Sequence, residues 1–279
     1  LLPLRRLSQE VNKIEAQNLS KTLEVPATND EISRLTISFN KMLARLDEAF
    51  TAQKQFSANA AHELRTPLAV IQTNLEVFAR REAPALKDYQ EIFAMLQEQT
   101  GRLSHLAEIL LDMTGVQTVE RSERISLAAL TDEVFCDLAS VAEQKDVELI
   151  QQEGDCIITG SYLLLYRAVY NLVENAIKYN HSGGKVTVNI HLSEEITDTS
   201  TSVNYVFLEV SDTGIGIPPE YQEKIFTPFF RVDKSRSRAM GGAGLGLALV
   251  SEIVRQHNGQ VKVLESSKKG SIIAIMLPV

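Results

Sequence analysis

No run of about 18 apolar residues, the length a helix needs to cross a bilayer, occurs anywhere in the 279 residues. No signal-peptide pattern opens the chain. Only two cysteines are present, Cys136 and Cys156, without a second pair at metal-ligand spacing, which excludes a cysteine-built metal centre; both read as reduced core residues. Positive charge is in deficit: 28 Lys and Arg stand against 36 Asp and Glu, a net charge of -8. Phosphate backbones are bound by clustered cations that release counterions, so general nucleic-acid affinity is excluded and the surface suits a soluble cytosolic protein. The chain opens on Leu1 rather than Met, and it is expected to continue a longer polypeptide. Its length and 44% hydrophobic content leave room for two or more units, one with a sizeable core.

From Leu4 to about Gly115 the apolar residues follow helical spacing. Leu4, Leu7, Val11 and Ile14 step by three and four, and Ile32, Leu35, Phe39, Met42 and Leu46 do so again. The connector from Asn18 to Asn29 carries Leu19, Leu23, Val25 and Pro26, and is expected to pack those apolar side chains against the helices. No Gly or Pro intervenes between Glu31 and Thr66, and Leu64, Leu68, Ile71, Leu75 and Phe78 resume the stripe. One helix of roughly 75 Å is expected from about Glu31 to about Arg81, kinked at Pro67, which lacks the backbone donor. After Ala83-Pro84, a further stripe runs through Tyr89, Ile92, Leu96, Leu103, Leu106, Leu110 and Met113, with Gln99 as its polar member. Two one-sided helices bury their stripes most economically as a dimeric four-helix bundle; a monomeric bundle using the first helix pair is the alternative.

From about Ser126 the pattern becomes α/β. Helices are expected over 127–145, 162–180 and 245–257, with strands over 147–151 and 156–159. Val186, Val188, Ile190 and Leu192 alternate, as do Val206, Leu208 and Val210, the period of half-buried strands. Strands near 261–264 and 271–277 complete a mixed sheet with helices packed against it. The Asp-, Glu-, Thr- and Ser-rich stretch 194–202 reads as a solvated loop.

Three segments of this half carry chemistry. In Asn171-Leu-Val-Glu-Asn175-Ala-Ile-Lys178-Tyr179-Asn180, helical spacing puts Asn171, Asn175, Lys178 and Tyr179 on one side, where amides and an ammonium suit Mg²⁺ and phosphate. Taken alone, it is as readily the wet face of a helix. In Val210-Ser-Asp212-Thr-Gly214-Ile-Gly216-Ile-Pro218 a hydrophobic strand ends in a carboxylate followed by two glycines, fit to accept an amino-group hydrogen bond or to make an ordinary turn. Gly241-Gly242-Ala-Gly244-Leu-Gly246-Leu247 leads glycines into a helix whose first amides would face an anion. It follows a Ser- and Arg-rich loop instead of a first strand, which disfavours a dinucleotide fold.

In this order and spacing, the three segments resemble the nucleotide-binding blocks of the ATPase fold shared by histidine kinases, gyrase, Hsp90 and MutL, the Bergerat or GHKL α/β sandwich. The resemblance implies that Asn175 holds Mg²⁺ with help from Asn171, that Lys178 and Tyr179 face ATP, and that Asp212 receives the adenine amino group. Gly214 and Gly216 would line the adenine pocket, and Gly242, Gly244, Leu245 and Gly246 would cradle the phosphates. Ile225-Phe-Thr-Pro-Phe-Phe230-Arg231-Val-Asp233 looks like the aromatic block of histidine kinases, which implies that Arg231 reaches the terminal phosphate and that Lys234 to Met240 form a lid.

Phe56-Ser-Ala-Asn-Ala-Ala-His62-Glu63-Leu-Arg65-Thr66-Pro67-Leu-Ala-Val resembles the phosphoacceptor box of sensor histidine kinases. His62 falls outside the Leu64, Leu68, Ile71 stripe and is expected on the surface. A neutral imidazole has a lone pair at cellular pH; Glu63 is suited to take the proton from the other ring nitrogen. The resemblance gives Thr66 the role of orienting a water that dephosphorylates the partner; plain helix capping before Pro67 is the alternative. Pro3 and Asn-Asp30-Glu31-Ile-Ser33-Arg-Leu35 resemble a HAMP signal-relay module, with Ser33 where many such modules carry glycine.

The whole then reads as a homodimeric sensor histidine kinase: HAMP over 1–49, a dimerisation and phosphotransfer hairpin over 50–115, a linker over 116–125 and an ATP-binding domain over 126–279. A response-regulator receiver domain is the implied partner. The implied location is the cytoplasmic portion of a bacterial membrane protein, anchored by a preceding transmembrane segment. A nucleotide-binding scaffold without catalysis and a serine-modifying kinase are the rivals; both leave the residues around His62 unexplained.

Overall fold

A computed structural model of the protein describes residues 22–25, 31–115, 119–196, 202–232 and 243–279. They fall into two compact units, Leu1–Thr66 and Pro67–Val279. Pro3, Leu19, Asp30, the 234–240 lid and Gly242 lie outside the described residues.

Helix α1, Glu31–Ala79, is continuous through Pro67. In the first unit its buried positions are Ser33, Thr36 and Leu43. The Thr36 hydroxyl donates to the Ile32 carbonyl at 2.7 Å. Against this face sits Leu23, itself buried. The Asn40 amide clasps its backbone: the Leu23 N–H donates to Oδ1 at 2.8 Å, and Nδ2 donates to the Leu23 carbonyl at 2.9 Å. Val25 is exposed, so of the described connector residues Leu23 alone packs as expected. Leu35, Met42 and Leu46, three members of the expected stripe, are also exposed.

The second unit opens with the end of α1 and helix α2, Leu86–Gly115. Asp88 builds the turn between them, accepting the Ala85 N–H at 2.8 Å and pairing with Arg81, a reach-back that satisfies an orphan donor at the start of α2. The Ala85 N–H and then Arg81 hold the Asp88 carboxyl below the usual range. Phe78 and Tyr89 meet edge to face at 5.0 Å.

The rest is an α/β domain. Strand β1, Glu123–Ser126, lies where only a linker end was expected, and pairs antiparallel with β3, Ile157–Gly160. Its four residues are too few to show a period. Helix α3, Leu127–Gln144, precedes β2, Val147–Gln151; helix α4, Tyr162–Lys178, precedes β4, Gly184–Ile196, and β5, Ser202–Asp212. Two short 3-10 turns lead to helix α5, Gly246–Gln256, and strands β6, Gln260–Ser267, and β7, Gly270–Pro278. The five-stranded sheet runs β2-β4-β5-β7-β6, with β2 and β4 parallel and the other pairs antiparallel. Register aligns Val188, Val210 and Ile273, then Ile190, Leu208 and Ile275. Among these, Val188, Val210, Ile190, Leu208 and Ile275 are buried together with Leu165, Val169, Leu172, Val173 and Ile177 of α4. Alternation on the strands and three-four spacing on the helix thus make one core.

The cysteines require a correction. Both are free, but only Cys156 is buried; Cys136 is exposed. It falls between the inward positions Val134 and Leu138 of α3, so the apolar stripe around it turns it outward.

Candidate nucleotide site and phosphoacceptor helix

The carboxyl end of β5, the C-terminal half of α4 and the start of α5 converge on a cavity of about 480 Å³. Its lining includes Asn171, Asn175, Lys178 and Tyr179 from α4 and Asp212 and Gly216 from the β5 end. Arg231, Gly244, Leu245 and Gly246 come from the segment leading into α5. Three stretches far apart in sequence therefore meet at one place. Gly214 stands behind the wall, its N–H donating to Asp212 Oδ1 at 2.7 Å.

Asp212 ends a strand whose inward residues fill the core, so the chain enters the pocket floor with a half-buried carboxylate. Burial raises its pKa, against the opposing N–H groups of Gly214 and Ser271. Among the described residues no cation pairs with Asp212, so its carboxylate stands as an acceptor facing the cavity. Lys178, in the last turn of α4, has its pKa lowered chiefly by burial, with Arg231, Lys145 and Arg102 acting the same way and Glu174 opposing. Excess positive charge gathers at this end of the cavity, where an anionic ligand relieves it.

Two glycines are required by close approach. A Cβ at Gly246 would lie 2.4 Å from Asn171 Oδ1, so any other residue there would displace the Asn171 amide. Gly216 has φ +73°, and a Cβ there would meet the Ser267 carbonyl oxygen at 1.8 Å. The Asn171 Nδ2 donates to the Arg167 carbonyl at 2.8 Å, which turns its oxygen toward Gly246. The Asn175 side chain lines the cavity and makes no hydrogen bond among the described residues. An uncommitted amide beside Glu174 fits the oxygen-ligand chemistry of Mg²⁺.

Several contributors were not expected. Glu174 lines the cavity; it sits inside the Asn171–Asn180 segment at helical spacing from Asn171, and that spacing was the available signal. Asn180 is buried and ties the pieces together. Its Nδ2 donates to the Lys185 carbonyl at 3.0 Å, and its Oδ1 accepts the Thr213 hydroxyl at 3.1 Å, bracing the end of α4 against the segment after Asp212. His105 and Ile109 of α2 also line the cavity, which no local pattern announces.

In the first unit, His62 is exposed and Glu63 is half-buried on α1. The Thr66 hydroxyl donates to the His62 carbonyl at 3.2 Å, a back-bond along the helix. Pro67, buried, has no N–H for the Glu63 carbonyl.

Residues 1–48 match the HAMP domain family, residues 52–118 the His Kinase A phospho-acceptor domain and residues 160–279 the histidine kinase-, DNA gyrase B- and HSP90-like ATPase. The chain belongs to the sensor histidine kinase family. It is 31% identical over 279 residues to the sensor histidine kinase CusS of Escherichia coli K12, covering 99% of this chain and 56% of that protein. The sensor protein CutS of Streptomyces coelicolor is 33% identical over 282 residues, with 100% and 66% covered. The chain therefore spans little more than half the length of CusS. Among solved structures, the histidine kinase AdeS of Acinetobacter baumannii superposes with a TM-score of 0.58 at 24% identity, over 78% of this chain and 97% of AdeS. The histidine kinase ThkA, solved in complex with response regulator protein TrrA, gives 0.62 at 22% identity, over 89% of this chain and 68% of that one. These likenesses establish the family fold: helical modules followed by an α/β ATPase domain.

Proposed function

We propose that this chain is the signal-relay and kinase portion of a homodimeric sensor histidine kinase, which moves the γ-phosphoryl group of ATP to His62. The observation that carries the reading is the convergence of Asn175, Lys178, Asp212 and Gly246 on one cavity, in a chain that also presents an exposed His62 beside Glu63. ATP binding follows from the family of residues 160–279. Asp212 accepts the adenine amino group, and Lys178 and Arg231 neutralise the phosphates.

Asn175, helped by Asn171, would hold Mg²⁺; the ion would add positive charge where the transferring phosphoryl group develops negative charge. The chain's own part is placement and proton handling. One ring nitrogen of His62 attacks the γ-phosphorus as the bond to the ADP oxygen breaks, and Glu63 takes the proton from the other nitrogen. Phosphohistidine then passes its group to an aspartate of a response-regulator receiver domain. ThkA's solution with a response regulator supports that partner class. We also propose a phosphatase reaction on that aspartate, in which the Thr66 hydroxyl leaves the His62 carbonyl to orient a water.

The division 1–49, 50–115, 116–125 and 126–279 is part of the same proposal, as is membrane attachment through a segment preceding residue 1. Among the described residues no helix is long and apolar enough to cross a membrane.

Labelling with γ-phosphate-labelled ATP tests the reading. Wild type is expected to give alkali-stable, acid-labile label that His62→Gln loses entirely, with nucleotide affinity unchanged. Acid-stable label, or label that survives His62→Gln, would refute it.

A further inference from the structure

Helix α2 belongs to the hairpin by sequence, yet it forms part of the nucleotide cavity wall through His105 and Ile109. Ile109 is 6% exposed and Leu106 5%, so the apolar edge of α2 is covered here, while His105 beside it is exposed. Three further links join it to the ATPase domain. Asp112 pairs with Arg167 of α4, the residue whose carbonyl holds the Asn171 amide. The Arg102 charge is felt at Lys178, inside the cavity. Beyond α2, Arg121 donates to Gln256 Oε1 at 3.1 Å, at the end of α5. The helix therefore packs against α5 and is tied to α4 through Asp112.

We propose that His105 is a nucleotide-contacting residue supplied by the hairpin: its imidazole donates a hydrogen bond to the polyphosphate of the bound nucleotide, and the Asp112–Arg167 pair holds it there. This inference rests on the nucleotide-site reading above. Its consequence is thermodynamic. A site built from both elements binds nucleotide more tightly when α2 is seated, and by linkage bound nucleotide strengthens the seating by the same factor. The phosphoacceptor hairpin thereby senses whether the pocket is filled, through a contact separate from phosphoryl transfer. The effect belongs to the phosphates, because the adenine end is lined by the β5 segment and by Ser271 and Ile273.

Equilibrium titration of the full chain with ADP and, separately, with adenosine, both with Mg²⁺ present, decides the matter. His105→Ala is expected to weaken ADP about ten- to a hundredfold, the range of one hydrogen bond to a charged group, and to leave adenosine within twofold. Asp112→Arg and Arg167→Asp are each expected to weaken ADP, and the double swap to restore it, which a folding defect would not do. His105→Ala binding ADP like wild type, or losing adenosine equally, overturns the proposal, as does a double swap no better than the single variants. Wild type binding neither probe would remove the nucleotide-site reading and this inference together; wild type binding both, with His105→Ala unaffected, removes this inference alone.

Discussion

Asp212 couples fold stability to ligand binding at a single side chain. A carboxylate whose folded pKa is raised by burial contributes stability that is present below its unfolded pKa and is lost as pH rises through the folded value. At neutral pH the charged group therefore weighs against the empty fold, while its proposed role is to accept the adenine amino group. Asp212→Asn is expected to weaken ATP by about 2 kcal/mol, roughly thirtyfold in Kd, and to raise the melting temperature of the ligand-free protein at pH 7. The gain in melting temperature should shrink as pH falls into the carboxylate range. Calorimetric melts from pH 7.5 to 4 beside ATP titrations check both parts, and a variant that loses stability at pH 7 while keeping its affinity would refute the assignment. Asp212 was legible because a period-two strand visibly ends on it. Asn180 was quoted in the same motif, yet its bracing role was not, since hydrogen bonds to Thr213 and the Lys185 carbonyl depend on where a distant strand returns.

Among the elements, the placement of α5 against α4 decides the shape of the phosphate end. Gly246 permits the approach at one end of α5, and His257 secures the other. His257 is buried; its Nε2 accepts the Ser161 N–H at 3.1 Å and its Nδ1 lies 2.8 Å from the Ile253 carbonyl. This pattern needs a neutral ring with the proton on Nδ1. Burial depresses its pKa, outweighing the Ile253 carbonyl. A depressed folded pKa contributes stability present above the unfolded value, about 6.5, and lost as pH falls through the folded one. The melting temperature is expected to drop by a few degrees between pH 7 and pH 5, a cost of about 1 kcal/mol, with the drop much reduced in His257→Gln. Equal pH profiles for the two proteins would exclude this role. Helices and most strands at this scale were readable because each has an amphipathic period; β4 and β5 run on to Ile196 and from Ser202, into the polar stretch read as a loop, and β1 was missed because four residues carry no period.

At the scale of the whole molecule, apolar surface is left over. Leu68, Leu75, Phe93 and Leu111 of the second unit are exposed, Phe93 at 63% and Leu111 at 69%, and the first unit leaves Leu35, Met42 and Leu46 exposed as well. Leu68 and Leu75 belong to a stripe predicted as buried; found open on a single chain beside Phe93 and Leu111, which no predicted stripe included, they are what a bundle formed by two copies would cover. Light scattering is expected to give a dimer, and Leu75→Glu with Phe93→Glu is expected to give a monomer whose ATP affinity is retained and whose His62 labelling falls at least tenfold. A wild-type monomer that labels His62 at full rate would remove the dimer from the proposal.

Among the described residues, local order was enough to specify the class of the helices and of the strands other than β1, and to mark the three stretches that meet at the cavity and the histidine box, because periodicity and motif spacing are properties of neighbouring residues. Packing over long range set the rest: that Cys136 faces out while Cys156 is buried, that Asn180 braces the pocket, and that α2 brings His105 and Ile109 to its wall. Those outcomes depend on which surfaces meet after the chain has folded back, and no stretch of adjacent residues encodes that meeting.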